Sequence, residues 1–290
     1  LIPGYHVEYL DRIGKAVFDP RGAITLAFPS GTTIGAAGGY YSCFIQTNGT
    51  YFNDYPNLAA ADYLDPQRAI HRALSLEQKV SGYTFKVEGF YNNFWDIVRA
   101  EENDDKNFIN ATDLKTYGFE VMAKISDESD QGPFGWVSYT LSRSKIRSNM
   151  ATDPSADEWI ISEYDQTHVI KLISGYTHKK HTLSARFQFN SSVPYTPITG
   201  SYQNPPASGR YVPVYGKEHT ERLSPEHRLD LRYSYKTNYR WGFVSWYVEL
   251  INVYNFTSDE YFFNYSTGKA SIRKTEDVGI IPNFGVEAKF

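Results

Sequence analysis

The feature that most constrains this chain is a two-residue alternation of apolar and polar side chains, recurring along its length with almost no helical periodicity. In LSARFQFN, Leu183, Ala185, Phe187 and Phe189 oppose Ser184, Arg186, Gln188 and Asn190. HRLDLRYSY sets Leu229, Leu231, Tyr233 and Tyr235 against Arg228, Asp230, Arg232 and Ser234. GFVSWYVELINVY sets Val244, Trp246, Val248 and Leu250 against Ser245 and Glu249, and TFKVEGFYNN and YGFEVMAKI follow the same rule. Successive side chains of a strand point to opposite faces, so each run describes a sheet with one apolar and one charged face. Charges of both signs suit a polar lumen, and the apolar face then meets lipid. A soluble all-β module, with its apolar residues hidden inside, is the competing architecture.

Connections between the runs alternate in length. Short polar turns occur at 28–33, 79–84, 177–181 and 236–242, with 127–132 slightly longer. Long loops are expected near 44–68, 99–113, 147–162, 193–222 and 256–279. About twelve strands result, the first near 5–13, 17–28 and 31–43, and no internal repeat or domain boundary interrupts residues 1–290. Short turns at one end and long loops at the other are the asymmetry of a transmembrane barrel. Composition agrees. Mean hydropathy is -0.48, and no apolar run approaches the roughly 18 residues of a spanning helix. The 24 tyrosines suit positions with one apolar and one wet end. A net charge of -4 gives no footprint for nucleic acid. A lone Cys43 excludes an intramolecular disulfide and a multi-cysteine metal site.

Eight segments in order, YGFEVMAK (117–124), GWVSYTLSRS (135–144), EYDQTHVIKL (163–172), SSVPYTPITG (191–200), YVPVYG (211–216), ERLSPEHRLDLRYSY (221–235), LINVYN (250–255) and the terminal IPNFGVEAKF, resemble the C-terminal part of TonB-dependent outer-membrane receptors. The resemblance implies an all-β fold, an antiparallel transmembrane β-barrel, with this chain as the last half of a 22-stranded barrel whose plug and TonB-contacting segment are not in these residues. Leu1 is not an initiator methionine, and the sequence reads as a piece of something longer or a processed product. The implied location is the outer membrane of a Gram-negative bacterium. The implied partners are its lipid and lipopolysaccharide, the barrel-assembly machinery, the TonB system through a plug, and a surface lipoprotein or other barrel chain. The last strand is similar to the signal that the assembly machinery reads. Phe284, Val286, Ala288 and Phe290 then face lipid and the assembly partner, while Glu287 and Lys289 face the lumen.

Several constellations are candidate sites. The loop 193–222 carries Tyr195, Tyr202, Tyr211 and Tyr215 among prolines, where rings over a lumen can stack on a ligand. Arg186, Arg228 and Arg232 share the lumenal face and can grip carboxylate or phosphate oxygens. The alternative is that these arginines tie the wall together through Asp230, Glu249 and Glu287. Ser162, Asp165 and His168 carry hydrolase residue types, yet no G-x-S-x-G elbow surrounds a serine. No enzyme, cofactor or metal site is expected. His178 and His181 flank two lysines in a turn, and the acidic runs 100–107 and 152–165 lack the spacing of a calcium loop. Five N-x-[ST] triplets, at Asn48, Asn110, Asn190, Asn255 and Asn264, read as polar loops and rims. The expected function is a receptor that takes up a scarce nutrient, such as a metal chelate, cobalamin, sugar or peptide, with TonB-coupled energy. A plugless structural or interaction segment, or a small pore, is the alternative.

Overall fold

A computed structural model of the chain describes residues 1–11, 14–44, 64–101, 104–125, 131–148, 158–275 and 279–290. Strands dominate: β1 Ile2–Leu10, β2 Lys15–Ala27, β3 Thr32–Cys43, β4 Gln67–Val80, β5 Tyr83–Glu101, β6 Asp104–Ile125, β7 Gly132–Ser148, β8 Ile160–Ile161, β9 His168–His178, β10 His181–Asn190, β11 Pro194–Tyr195, β12 Ile198–Gln203, β13 Tyr211–Tyr215, β14 Glu221–Arg222, β15 Glu226–Tyr239, β16 Gly242–Ile251, β17 Asp259–Asn264, β18 Lys269–Lys274 and β19 Ile281–Lys289. The large sheet runs β1-β2-β3-β4-β5-β6-β7-β9-β10-β15-β16-β19, with β8 beside β7. The pairing follows chain order, as in a meander, and β1-β2, β2-β3, β7-β9, β9-β10, β10-β15, β15-β16 and β16-β19 pair antiparallel. Three two-stranded ribbons, β11-β14, β12-β13 and β17-β18, lie off this path.

Contacts group the residues into two compact units. The first comprises 1–76, 88–119 and 143–162. Here the buried Asp19 accepts from the Ser42 amide at 2.9 Å and its hydroxyl at 2.7 Å. Arg147 donates to Asp113 at 2.7 Å, and Trp159 lies under Lys115 at 3.8 Å and Arg147 at 4.9 Å. The second unit comprises 77–87, 120–142 and 163–290. Its registers align an apolar row Leu183, Tyr233, Val248 and Phe284 across β10, β15, β16 and β19. One residue along, Ser184, Arg232, Glu249 and Asn283 form the opposite, polar row.

Burial is inverted relative to a soluble protein. Leu183 is 59 % exposed and Val248 54 %, whereas Asp230 is 3 % exposed and Asp165 fully enclosed. Among the described residues the buried apolar set is six side chains, and the buried polar set is larger. The polar face therefore has the interactions, and the apolar face is left for a surrounding medium that is itself apolar. This is the arrangement that the alternation implies, and it argues against a dry core.

Loop lengths segregate by strand end only in part, because the β5-β6 connection at the long-loop end is two residues. The turns at 28–31, 81–82, 179–180 and 240–241 are short, while 191–225 and 252–280 are long. At 81–82 the turn holds Ser81 at φ 43° and Gly82 at φ 82°, the left-handed pair that a two-residue hairpin needs. At the last turn Gly242 sits at φ 148°, and a Cβ there would come within 1.7 Å of the Lys289 carbonyl oxygen, so only glycine fits.

Two expectations need correction. Residues 99–113 are strand, not a long loop: β5 continues to Glu101 and β6 begins at Asp104. At 19 and 22 residues these strands far exceed the roughly 9–11 that cross a bilayer. Their upper parts stand in water, so polar composition there does not mark a loop. The two longest connections are also not irregular, since they contain the three ribbons. Most of the loop expected at 44–68, the middle of 147–162, the run 100–107 apart from its backbone strands, and Asn48 lie outside the described residues.

Candidate functional site

The ribbons make one lobe beyond the ends of β10, β15, β16 and β19. Tyr211 donates its amide to the Tyr265 carbonyl at 2.8 Å, and Ser201 Oγ donates to the Gly268 carbonyl at 2.8 Å. The Ile198 amide donates to Tyr261 Oη at 2.7 Å, and the Tyr261 ring lies 4.3 Å from that of Tyr195. Burial there pushes the Tyr195 phenol above its ordinary pKa. The four loop tyrosines are thus separated. Tyr195 packs inside the lobe, and Tyr211, paired with Gln203, lies on the opposite face of the β12-β13 ribbon from Tyr202, paired with Val212. Tyr202 and Tyr215 remain exposed.

The β17-β18 ribbon is held by ion pairs, Lys274 to Asp259 at 2.8 Å and Arg273 to Glu260 at 3.0 Å. The hydrogen bond from Lys274 holds the Asp259 carboxyl below the usual aspartate value. A depressed folded-state pKa stabilises above the unfolded value and is lost as pH falls through the folded one. Protection of the β17-β18 amides from hydrogen exchange is therefore expected to hold from neutral pH down to about pH 4 and then to drop. Replacing Asp259 with Asn should remove that pH dependence; a step persisting in the variant refutes the assignment.

Below the lobe, Asp230 gathers donors. Arg186 reaches it through Nε at 2.9 Å and Nη2 at 2.6 Å, and the Asn252 amide at 2.9 Å. Arg228 Nε lies 3.1 Å from its Oδ1, but the N–H is not aligned as a hydrogen bond, so that buried donor is unused. We read the contact as ionic, because proximity alone sets the charge attraction while a hydrogen bond also needs direction. Arg232 instead covers the Tyr247 ring at 3.8 Å. For Arg186 and Arg228 the geometry is that of wall ties. Beside them a cavity of about 370 Å³ is bordered by Gln188, Glu226, Arg228, Asn252 and Ser258. Asn252, at φ 57°, shapes its roof by bonding both the amide and the carbonyl of Phe256 through its side chain.

The sequence did not disclose the tightest polar node. Arg222, on the short β14, donates to the Asp165 carboxylate, to the Asp165 carbonyl at 2.9 Å and to the Ser192 carbonyl at 2.7 Å. Thr167 Oγ1 adds a bond to the same carboxylate at 2.9 Å. The only signal was the buried pairing requirement of an Asp in a motif that precedes a strand. His168 turns its Nδ1 to the Tyr139 hydroxyl at 2.9 Å, and the Ser162 amide donates to the Ser144 carbonyl at 3.0 Å. A hydrolase relay needs the histidine oriented by the acid, and this acid is engaged by an arginine. His178 and His181 are register partners around the lysine turn, with His181 Nδ1 2.7 Å from the Tyr233 hydroxyl. Among the described residues no group of three or more His, Cys, Asp and Glu could hold a metal ion.

On the terminal strand, Phe284 and Val286 pair with Val248 and Trp246, and Ala288 with Val244, all on the apolar face. Glu287 pairs with Ser245 on the other. Phe290 stacks on Trp241 at 5.2 Å, which stacks on Tyr239 at 5.0 Å. Replacing Phe290 with Asp is expected to lower the amount of heat-modifiable barrel recovered from the membrane fraction; an unchanged amount refutes an assembly role for this residue.

No protein-family model matches the sequence, and no curated protein sequence matches it. Solved structures do. The outer membrane transporter YddB from Escherichia coli is similar at a TM-score of 0.66 and 14% identity, over 99% of this chain and 43% of that one. The ferric citrate transporter FecA, in its unliganded form, gives 0.63 and 13%, over 94% and 38%. The copper transporter OprC gives 0.59 and 16%, over 95% and 40%. The chain spans less than half the length of each of these structures.

Proposed function

We propose, from the premise that this chain has the fold of the outer-membrane β-barrel transporters, that it is the C-terminal barrel wall of a TonB-dependent receptor taking up a scarce nutrient. Residues 1–290 act as one barrel segment, and energy reaches it through a plug held within the complete barrel. The observation that carries the reading is the packed lobe of three ribbons standing over a charged lumenal wall. A lobe locked by cross-ribbon hydrogen bonds presents Tyr202 and Tyr215 in a defined place, which lowers the ordering cost of capturing a ligand. The cavity bordered by Gln188, Glu226 and Ser258 supplies polar contacts on the way inward.

A metal chelate, cobalamin, an oligosaccharide and a peptide are the candidate cargoes, and the loops alone choose among them. Because the outer membrane has no nucleotide supply, transport against a gradient draws on the inner membrane. The barrel-assembly machinery inserts the wall, and a surface lipoprotein or second barrel chain is a further partner.

The test is uptake of labelled members of each class by cells that express the complete protein. We expect one class to accumulate, to stop accumulating under a protonophore, and to weaken when Tyr202 and Tyr215 are both replaced by alanine. Entry that ignores the protonophore and follows solute size refutes this reading in favour of a small pore without a plug.

A further inference from the structure

We infer that the cavity below the lobe is a subsite for one ring of a neutral sugar, held by Gln188, Asn190 and Glu226. It rests on the uptake reading above and narrows the cargo to one class. Its test is equilibrium binding, which the test of that reading does not use.

The three side chains come together because β10 and β15 run side by side. Asn190 is the register partner of Glu226, and Gln188, two residues before it, lies opposite Arg228. Residues two apart on one face of a strand are about 7 Å apart, and paired residues about 5 Å. Two amides and a carboxylate therefore converge within reach of a single sugar ring. All three border the cavity of about 370 Å³, near the lower end of the roughly 300–1,000 Å³ of small-ligand sites. Ile251, Phe256 and Ile281 border it too, so part of its wall is apolar.

These groups lack partners inside the protein. Among the described residues none of the three side chains has a hydrogen bond or ion pair, although each is half-buried. Their neighbours are engaged: Arg186 bonds Asp230, and the Asn252 side chain bonds the Phe256 backbone. An amide side chain both donates and accepts, and a carboxylate only accepts. Polar groups held partly out of water favour a ligand that restores their hydrogen bonds. Ring hydroxyls do so, since each donates and accepts at once and two adjacent ones can reach both oxygens of Glu226. The C–H side of the same ring then lies against Phe256 and the two isoleucines.

Charge and size decide against the other cargoes. Arg186 and Arg228 are matched by Asp230 and Glu226, so no net charge at the cavity attracts an anionic chelate. A single carboxylate with a guanidinium on the same border is also a poor cage for a bare hard cation. Cobalamin, a macrocycle with a nucleotide tail, exceeds the space. A peptide offers one backbone donor and one acceptor per residue, spaced about 3.3 Å along the chain, so it reaches the three groups one at a time.

The test is binding of the complete barrel, in mild detergent, to an array of immobilised oligosaccharides of neutral hexoses, pentoses and N-acetylhexosamines. Oligouronates and trialanine on the same array are the comparisons. We expect retention on at least one neutral glycan, and at least about a tenfold higher half-saturating concentration in Gln188→Leu and in Glu226→Ala. Neither side chain bonds another group among the described residues, so both variants should fold, and heat-modifiability confirms it. Failure of every neutral glycan to bind overturns the inference, as does equal or tighter binding of the oligouronates or of trialanine. Unchanged binding by both folded variants places the glycan elsewhere and also overturns it. Accumulation of another cargo class by cells, with no glycan bound, removes this inference alone. A glycan bound through these residues but never accumulated removes the uptake reading alone.

Discussion

Replacing Arg222 with alanine is expected to destabilise the folded barrel by about 3–5 kcal/mol, the usual cost of removing one partner of a buried ion pair. Asp165 has no exposed surface, so its carboxylate cannot recover solvation when the guanidinium leaves. The carbonyls of Asp165 and Ser192 lose their donor in the same step. Those three acceptors lie on two connections that frame the strand ends, so the lobe should loosen before the wall does. Denaturant titration in detergent micelles measures the effect, with exchange protection of 191–225 as the local readout. An exposed surface pair would give only about 0–1 kcal/mol, and a result in that range means that Asp165 is solvated in the folded protein. Combining Arg222→Met with Asp165→Asn should recover part of the loss, since no buried charge is then left alone.

Placing arginine at Val248 is expected to cost about 2–4 kcal/mol at mid-bilayer height, and placing it at Ser234 close to nothing. The two positions lie on adjacent paired strands, with Val248 opposite Tyr233 and Ser234 opposite Tyr247. They differ in face and little else, so the comparison isolates the medium each face meets. Val248 already stands 54 % exposed in the isolated chain, which rules out steric crowding as the source of a large penalty. A lipid titration of folding yields both numbers. Equal tolerance would mean that the apolar row Leu183, Tyr233, Val248 and Phe284 does not face hydrocarbon.

The strands of the wall were legible because each separates two media, and a two-residue period records that separation directly. The register rows through β10, β15, β16 and β19 repeat the alternation of LSARFQFN and HRLDLRYSY residue for residue. Where a strand rises beyond the bilayer both faces meet water and the period fades, which is why β5 and β6 are longer than their pattern. The ribbons were hidden for another reason. Pro194 and Pro213 sit inside them, the pairing slips between Ile198 and Gly200, and β11 and β14 are two residues each. Such short pairings are held by partners far away in sequence, and no local pattern encodes a contact such as Ile198 with Tyr261. The wall arginines were readable as to face but not as to partner. Arg186 and Arg228 converge on Asp230, whereas Arg232 finds the Tyr247 ring instead of the Glu249 carboxylate that register places opposite it.

The bare glycine at position 242 lets the final strand close fully on the hairpin beside it. The Lys289 carbonyl occupies the space where a side chain would begin, so any larger residue there would hold the end of β19 off its partner strand. A shift of one residue would swing Phe284, Val286 and Phe290 into the watery bore and Glu287 into hydrocarbon. Register is thus selected by the two media on either side of the wall, and the missing side chain at position 242 lets the last strand seat its end against its neighbour without obstruction.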